Sequence, residues 1–530
     1  MASSLFTCLR PLRVAVAFVL GATFVQAAGF TTRTAPAVTA EKAANMDVRY
    51  FTELLGRSSK GSVESQFTPL ANTEVTTVVC CPMGWRFYSF PSEVDLTWKE
   101  PDKFPRHDAL FPNFRKVVGY LQAGGDPLKD AVDATRRLGK RFIVSFRMND
   151  SHYVKVEDFP SHNNFWRAHP ELRLGSDITG SPLSENSPVF DYLRPEVRDF
   201  YFSVLEEICT KYDVDGVELD FQRAPRFFHD RNIGAGRAVM TAHVGRIRGM
   251  LDRIGAQRGR PMELSVRVLH TIQANWDIGA DVMAWDAAGW LDGIIVSSGY
   301  IHTADTGIEE FVAARKKAKV HGELNFVHFQ AAGTGHNPND RRYLTPETYR
   351  AATLSYLERG ADGVSYFNTY CVPQPALNRL TASLLGKYRD LGVLQRADKN
   401  YTTYANPATM AGRIFPAKDK KTFQVFIADA RPADATRAVL RIETKAESQG
   451  LKMEASVNGS DLEEVFPAEP ELFPPLAVNN ASARRERLRF FAVPVAVLKF
   501  GVNQVAVRNL ETNRKSCDFI SSELALYLGN

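Results

Sequence analysis

From about residue 73 to residue 392 the sequence alternates short β-branched runs with amphipathic helical stretches, a pattern that admits few folds. Strand-like runs are Val75–Cys81, Phe142–Phe146, Gly216–Phe221, Met262–Val268, Gly293–Ser297, Leu324–Phe329 and Gly363–Phe367. Between them, helical spacing predicts helices over Asp126–Leu138, Pro195–Tyr212, Arg237–Ile254, Asp281–Trp290, Ile308–Lys319 and Pro346–Arg359, with a last one over Ala376–Leu391. Strands joined by helical crossovers pair in parallel. Those seven, with an eighth near Val117–Leu121, predict an α/β fold of the (β/α)8 TIM type. An open doubly wound sheet is the alternative. No Gly-rich phosphate loop follows an early strand, which argues against its nucleotide-binding form.

Past residue 400 the texture changes. Thr422–Ala428, Arg437–Thr444, Lys452–Val457, Leu488–Val495, Asn503–Val507 and Ser522–Leu528 read as strands separated by turn residues, which predicts an all-β sandwich of jelly-roll type over 400–530, joined through a linker at Tyr388–Tyr404. At the other end, Arg10 and Arg13 precede an apolar run from Val14 to Phe24, and Val25-Gln26-Ala27 offers small residues for cleavage. Residues 1–27 therefore read as a secretory signal, too short for a comfortable membrane span, and the mature chain as secreted or periplasmic. Residues 28–72 are rich in Thr, Ala, Ser and Lys with weak periodicity and read as a partly disordered leader.

Composition removes several classes of function. A formal charge of +5 over 530 residues, with no long Lys/Arg run, argues against a nucleic-acid partner. Six cysteines, of which Cys80 and Cys81 are adjacent, contain no CxxC pair and indicate neither a zinc site nor a disulfide framework. No metal or cofactor is expected, and nothing in the sequence sets an oligomeric state.

The chemistry concentrates at predicted strand ends. In Asp215-Gly216-Val217-Glu218-Leu219-Asp220-Phe221-Gln222-Arg223, the apolar residues Val217, Leu219 and Phe221 alternate with Glu218, Asp220 and Gln222. Side chains two apart on a strand share a face, so Glu218 and Asp220 point the same way. Buried carboxylates are costly unless paired, so such a pair either does chemistry or belongs to an ion-pair network, for instance Glu218 with Arg267. The same end of other strands carries Arg147, Asn149, Asp150 and His152, then Arg267 and His270, Tyr300, His328, and Tyr366 and Asn368. Strand starts carry Lys140, Asp215, Glu263, Asp292, Glu323 and Asp362. In a (β/α)8 barrel the C-terminal strand ends form the active mouth. All six Trp lie between residues 85 and 290, and Trp85, Trp98 and Trp166 fall in loops after strands, where flat aromatic faces suit sugar rings.

Arg147-Met148-Asn149-Asp150, the segment His169 to Gly175, Asp191-Tyr192 with Pro195 to Asp199, and Asp215 to Arg223 together resemble the family-10-like glycosyl hydrolases, secreted bacterial (β/α)8 proteins. The resemblance implies a barrel glycosidase with an acid at the end of the fourth strand, where Asp220 and Glu218 stand. Two departures accompany it. Retaining barrel glycosidases of the large clan carry glutamates at the ends of strands four and seven, whereas the sequence places Glu323 at the start of strand seven. The fourth-strand motif is also similar to the family 18 chitinase signature, but Gln222 occupies that family's acid position and Glu218 its middle aspartate.

The expected function is a secreted glycoside hydrolase acting on a polysaccharide or oligosaccharide. Asp220 is the candidate nucleophile or base, Glu218 the acid and Asp150 a competing partner; Arg147, Asn149, His152, Arg223, Arg267, His270, Tyr300, His328, Tyr366, Asn368 and Trp85 are candidate substrate-binding residues. Arg147, Arg223 and Arg267 suit a carboxylate, hence an acidic sugar. The alternative is a carbohydrate-binding or cell-surface protein built on a degenerate glycosidase barrel. An esterase would need GxSxG or HExxH, and neither occurs. Exported protein is expected to begin near Ala28; N-terminal sequencing that returns Met1 would refute cleavage.

Overall fold

The computed structural model describes residues 35–529 apart from 104–110, 178–182, 300–301, 304–305, 331–340, 373–384, 386, 388, 405–413, 445–447, 449, 466–471, 474–487 and 513–514. The segment expected to be a signal and most of the Ala376–Leu391 stretch lie outside the described residues.

Eight parallel strands close into a barrel: β1 (Asp47–Glu53), β2 (Thr77–Cys81), β3 (Arg141–Arg147), β4 (Gly216–Asp220), β5 (Glu263–Val268), β6 (Gly293–Val296), β7 (Lys319–Leu324) and β8 (Gly363–Tyr366). Each pairs with its sequence neighbours, and β1 closes the ring on β8. The pairing register separates two faces. Val48, Tyr50, Val78, Phe142, Val144, Val217, Leu219, Leu264, Val266, Ile294, Val320, Val364 and Tyr366 fall on one, and all are buried. This is the apolar face that packs on the surrounding helices. The other face points into the barrel and carries Arg49, Glu53, Ser145, Arg147, Glu218, Asp220, Glu263, Arg267, His321 and Glu323. Ion pairs between non-adjacent strands confirm the direction: Arg49 of β1 reaches Glu263 of β5 at 2.6 Å, and Arg147 of β3 reaches Glu53 of β1 at 2.5 Å.

Three sequence expectations about the barrel need correction. The first strand lies inside the segment expected to be a leader: Asp47–Glu53 alternates apolar Val48 and Tyr50 with inward Arg49 and Glu53, and a helix over Lys60–Phe67 follows it. The strand expected near Val117–Leu121 is a helix, Phe114–Gln122, because Phe114, Val117, Val118 and Leu121 recur at helical spacing and are all buried. Strand seven runs over Lys319–Leu324, five residues ahead of the expected start. The preceding helix stops at Ala314, and the Asp286 carboxylate accepts the backbone N–H groups of Lys316, of Lys317 at 3.1 Å and of Ala318 at 2.8 Å. Gly322 interrupts the β-branched pattern because it lies under Tyr356, whose ring would sit 2.2 Å from a Cβ there. Glu323 consequently stands at the C-terminal end of β7.

Past the barrel, two antiparallel sheets follow. One orders Lys399–Tyr404, Cys517–Tyr527, Arg437–Thr444, Leu488–Val493 and Glu463–Val465; the other orders Lys420–Ile427, Gly501–Asn509, Met453–Val457 and Ser460–Asp461. They share a core, with Phe423 of one sheet 5.3 Å from Phe519 of the other. Lys399–Tyr404, expected in a linker, is a paired strand, and it packs on the barrel helix Pro346–Glu358. From Thr348 to Glu358 every residue of that helix is buried, between the barrel and the β domain. The barrel hairpin Val327–Gln330/Arg341–Tyr343 adds a charged contact: Arg342 meets Glu443 at 2.7 Å and Glu523 at 3.4 Å, while Arg441 also binds Glu523. Burial works to raise the Glu523 carboxyl, but Arg441 and Arg342 outweigh it and hold it at about 2.

The barrel and the β domain thus share a buried contact that is both charged and apolar. Cutting the chain after Gly392 strands Arg342 and bares one side of Pro346–Glu358; losing a buried partner alone costs about 3–5 kcal/mol. The truncated barrel is expected to be insoluble or to melt far below the full chain. Equal melting curves for the two would show the contact to be dispensable.

Candidate active site at the barrel mouth

The inward residues nearest the C-terminal strand ends form two linked charge groups. Arg267, at the end of β5, is the hub of the first. Its Nη1 donates to Asp220 of β4 at 3.1 and 3.2 Å, its Nη2 donates to Glu323 of β7 at 2.9 Å, and its Nε also binds Glu323. The guanidinium lies over the Phe367 ring at 3.6 Å. Asp220 Oδ1 further accepts the backbone N–H groups of Gln222 and Arg223, each at 3.0 Å. Glu323 Oε1 accepts Ser297 Oγ–H at 2.6 Å and Asn325 Nδ2–H at 3.0 Å. Asp220, Arg267 and Glu323 are each at most 2% exposed.

The second group starts at Arg147, which donates to Glu53 at 2.5 Å and to Asp150 at 3.0 Å. Asp150 Oδ1 accepts the His152 backbone N–H at 2.8 Å and contacts its Nδ1 at 2.9 Å. Burial opposes the Asp150 charge, but His152, Arg147 and Arg86 hold its carboxyl well below the usual range. Burial depresses His152, only partly opposed by Asp150. A neutral imidazole beside an ionised carboxylate carries its proton on Nδ1 and leaves Nε2 as an acceptor. Arg223 Nη2 supplies the donor there, 3.1 Å away. Because Arg223 N–H also binds Asp220, this chain connects the two groups.

Glu218 sits one layer deeper on β4. Ser145 Oγ–H donates to it at 2.9 Å, and it faces Arg49 below and Arg267 above. Burial pushes its carboxyl up to about 7, with Asp220 adding to the rise and the two arginines opposing it. Arg267 pairs with Asp220 and Glu323, and its shorter-range partner is thus not Glu218 as the sequence suggests.

The mouth brings together Arg147, Asp150, His152, Asp220, Arg223 and Arg267, with Trp85 against the His152 ring at 6.4 Å. Other expected residues fall elsewhere. Tyr366 points outward onto Tyr349, ring centroids 5.3 Å apart, because it alternates with inward Ser365. His328 lies in the hairpin after β7, with its Nε2 3.2 Å from Thr348 and 3.9 Å from Glu523 of the β domain, because the strand ends at Leu324. The Asn149 amide donates to the carbonyls of Phe190 and Arg226 and so ties two loops together. His270 is half-buried after β5 and its carbonyl accepts the Gly307 N–H. Asn368 starts the turn Thr369–Cys371 with φ 56°. Tyr300 lies outside the described residues. Trp166 is buried, with Arg173 stacked on it at 3.4 Å, and Trp98 Nε1 donates to the Ser92 carbonyl. Sequence reasoning missed Glu53, Glu323 and Phe367. The alternation Val48, Tyr50 against Arg49, Glu53 was a readable signal for the first.

A cavity of about 550 Å³ opens at the opposite, N-terminal end of the strands, among Asp47, Arg49, Arg141, Glu263 and Lys319. The reactive groups of (β/α)8 barrels gather at the other end, so geometry rather than cavity size locates the candidate site. Among the described residues, no cluster of His, Cys, Asp and Glu could hold a metal ion, and no helix is long and apolar enough to cross a membrane.

Residues 112–234 match the family model described as Glycosyl hydrolase-like 10. The matched span contains β3 and β4, hence Arg147, Asp150, His152, Glu218, Asp220 and Arg223, while Arg267 and Glu323 lie beyond it. No curated protein matches the sequence. Solved structures similar to the chain include alpha-L-fucosidase isoenzyme 2 from Paenibacillus thiaminolyticus, with 15% identity and TM-score 0.41, covering 65% of this chain and 49% of the fucosidase. The chain thus spans about half the length of that relative. The PgaB (BpsB) glycoside hydrolase domain from Bordetella bronchiseptica has 10% identity and TM-score 0.41, covering 64% of this chain and 98% of that one. A glycoside hydrolase family 18 N-acetylglucosaminidase from Paenibacillus barengoltzii has 14% identity and TM-score 0.38, covering 64% and 100%.

The buried acid makes a pH prediction. Glu218 is raised from 4.5 to about 7, so the folded chain keeps a proton that the unfolded chain releases. Its contribution is most favourable below the unfolded value and declines as pH rises towards the folded value, by about 3 kcal/mol at most. Glu218→Gln cannot titrate. Between about pH 5 and pH 8 its melting temperature is expected to fall less than that of the wild type. An identical slope in both proteins would show that Glu218 is not the group responsible.

Proposed function

We propose that the protein is a secreted glycoside hydrolase that cleaves glycosidic bonds with carboxyl groups at the barrel mouth. The observation that carries this is the unlike setting of two acids on one strand inside the span that matches a glycosyl hydrolase-like family. Glu218, raised to about 7, suits the proton donor. Asp220, on which Arg267 and two backbone N–H groups converge, suits the anionic nucleophile or base. Their Cα atoms lie about 6.5–7 Å apart along the strand, a spacing that does not choose between retention and inversion. Asp150 is held far down in the carboxylate range and spends its oxygens on Arg147 and His152, which suits positioning of His152 rather than proton donation. Glu323 stands at the end of β7, so the departure drawn from the sequence at that strand disappears, and a carboxylate faces Asp220 across Arg267.

A second reading, carbohydrate binding without turnover, draws on the same hub. Arg267 neutralises Asp220 and Glu323 together and buries all three. A carboxylate engaged in this way must be released before it attacks.

Asp220→Asn separates the two. It keeps the side chain's shape and an oxygen for the backbone N–H groups. Hydrolysis predicts that wild type cleaves at least one member of a polysaccharide panel and that the variant, folded by circular dichroism, loses at least roughly 10²–10⁴-fold in turnover. Unchanged turnover in a folded variant would remove Asp220 from the reaction, and wild type that binds the panel without cleaving it would favour the second reading.

A further inference from the structure

We propose that Tyr153 is the exposed face of an aromatic platform that binds an equatorially substituted pyranose ring at the barrel mouth, one residue from His152. The inference rests on the carbohydrate-directed reading above and names a subsite for it.

Tyr153 stacks on Phe159 almost face to face, 3.8 Å between centroids and 3° between planes. Trp85 meets Tyr153 edge-on at 4.9 Å and Phe159 edge-on at 5.2 Å, and Phe111 closes on Trp85 at 5.5 Å. Phe159 thus covers one face of the tyrosine, and Trp85 braces its edge. Tyr153 nevertheless remains 38% exposed as a residue, whereas Trp85, Phe111 and Phe159 are buried. An aromatic residue serving only to fill a core would have both faces covered.

The backbone carries a second, independent sign. Tyr153 adopts φ 54° and Trp85 φ 59°. A left-handed backbone is rare for bulky residues, and it persists where surroundings impose it, commonly at ligand sites. Asn368, on the loop after β8, shares it at φ 56°. Three loops of the same barrel end therefore hold non-glycine residues in this conformation.

The chemistry of the occupant follows from the pattern. A pyranose with equatorial substituents presents C–H groups on its faces and hydroxyls around its rim. Its face matches a flat π surface, and its rim needs polar neighbours. Those neighbours adjoin the platform: His152 precedes Tyr153 in the chain, its ring lies 6.4 Å from Trp85, and its Nε2 meets Arg223. Arg223 in turn donates its backbone N–H to Asp220. A sugar seated on Tyr153 would flank the proposed reacting groups.

The test uses the full chain and isothermal titration calorimetry with cellohexaose, chitohexaose and xylohexaose as probes. Wild type is expected to bind at least one. Tyr153→Phe should bind within about two-fold of wild type and Tyr153→Ala about ten-fold more weakly, since stacking needs the ring and not the hydroxyl. Tyr153→Gly guards against a folding artefact, because glycine accepts the positive φ without strain. It should remain folded and show the same loss as Tyr153→Ala. Undiminished binding by folded Tyr153→Ala or Tyr153→Gly overturns the platform and leaves the hydrolase reading intact. Failure of wild type to bind any of the three overturns the platform and leaves the hydrolase reading, which names no particular sugar, to the Asp220→Asn test. Wild type that binds through Tyr153 but does not turn over supports the platform and sinks only hydrolysis.

Discussion

Charge inside a closed barrel has no access to bulk water, so each guanidinium there must find its counter-charges on other strands. Arg267 does so on β4 and β7, and Arg147 on β1 and on the loop after β3. At the base Arg49 pairs with Asp47 and Glu263. Removing one partner from such a pair costs about 3–5 kcal/mol, more than most single contacts in a core. The pairs therefore penalise any strand register that would separate them. They also decide which carboxyl groups remain available for chemistry.

That division is visible on a single strand. Asp220 and Glu218 point the same way from β4, yet the upper acid is wrapped in N–H donors and the lower has one hydroxyl donor and a raised carboxyl near 7. Two like groups have become unlike through depth and neighbours. Acid–base pairs in hydrolases rest on this kind of separation. The cost of the arrangement is that Arg267, which positions Asp220, also competes for its charge.

The β domain belongs to the same electrostatic economy. His328, Arg342, Arg441, Glu443 and Glu523 meet between the hairpin after β7 and the sheet that contains Lys399–Tyr404, all buried. The helix Pro346–Glu358, which supports β7 through Tyr356 and Gly322, is covered by the strand Lys399–Tyr404. A route of packed contacts thus runs from the sheets to the strand that carries Glu323.

The alternation of β-branched and helical stretches and the β-only texture beyond residue 400 were legible in the sequence, because both follow from local periodicity. So was the shared face of Glu218 and Asp220, which a two-residue repeat imposes on any strand. Strand β1 escaped because its inward residues, Arg49 and Glu53, are charged and make a barrel strand look like a solvated leader. Glu323 escaped because Gly322 and His321 break the β-branched pattern of β7, for reasons that lie in Tyr356 and Asp47, far away along the chain. The sequence by itself determined the type of each element and the direction in which its side chains alternate. Only the tertiary structure decided which charges meet, that Tyr366 faces a helix while Phe367 supports Arg267, and that His328 serves the domain contact, because pairing across a closed barrel joins residues that no local spacing relates.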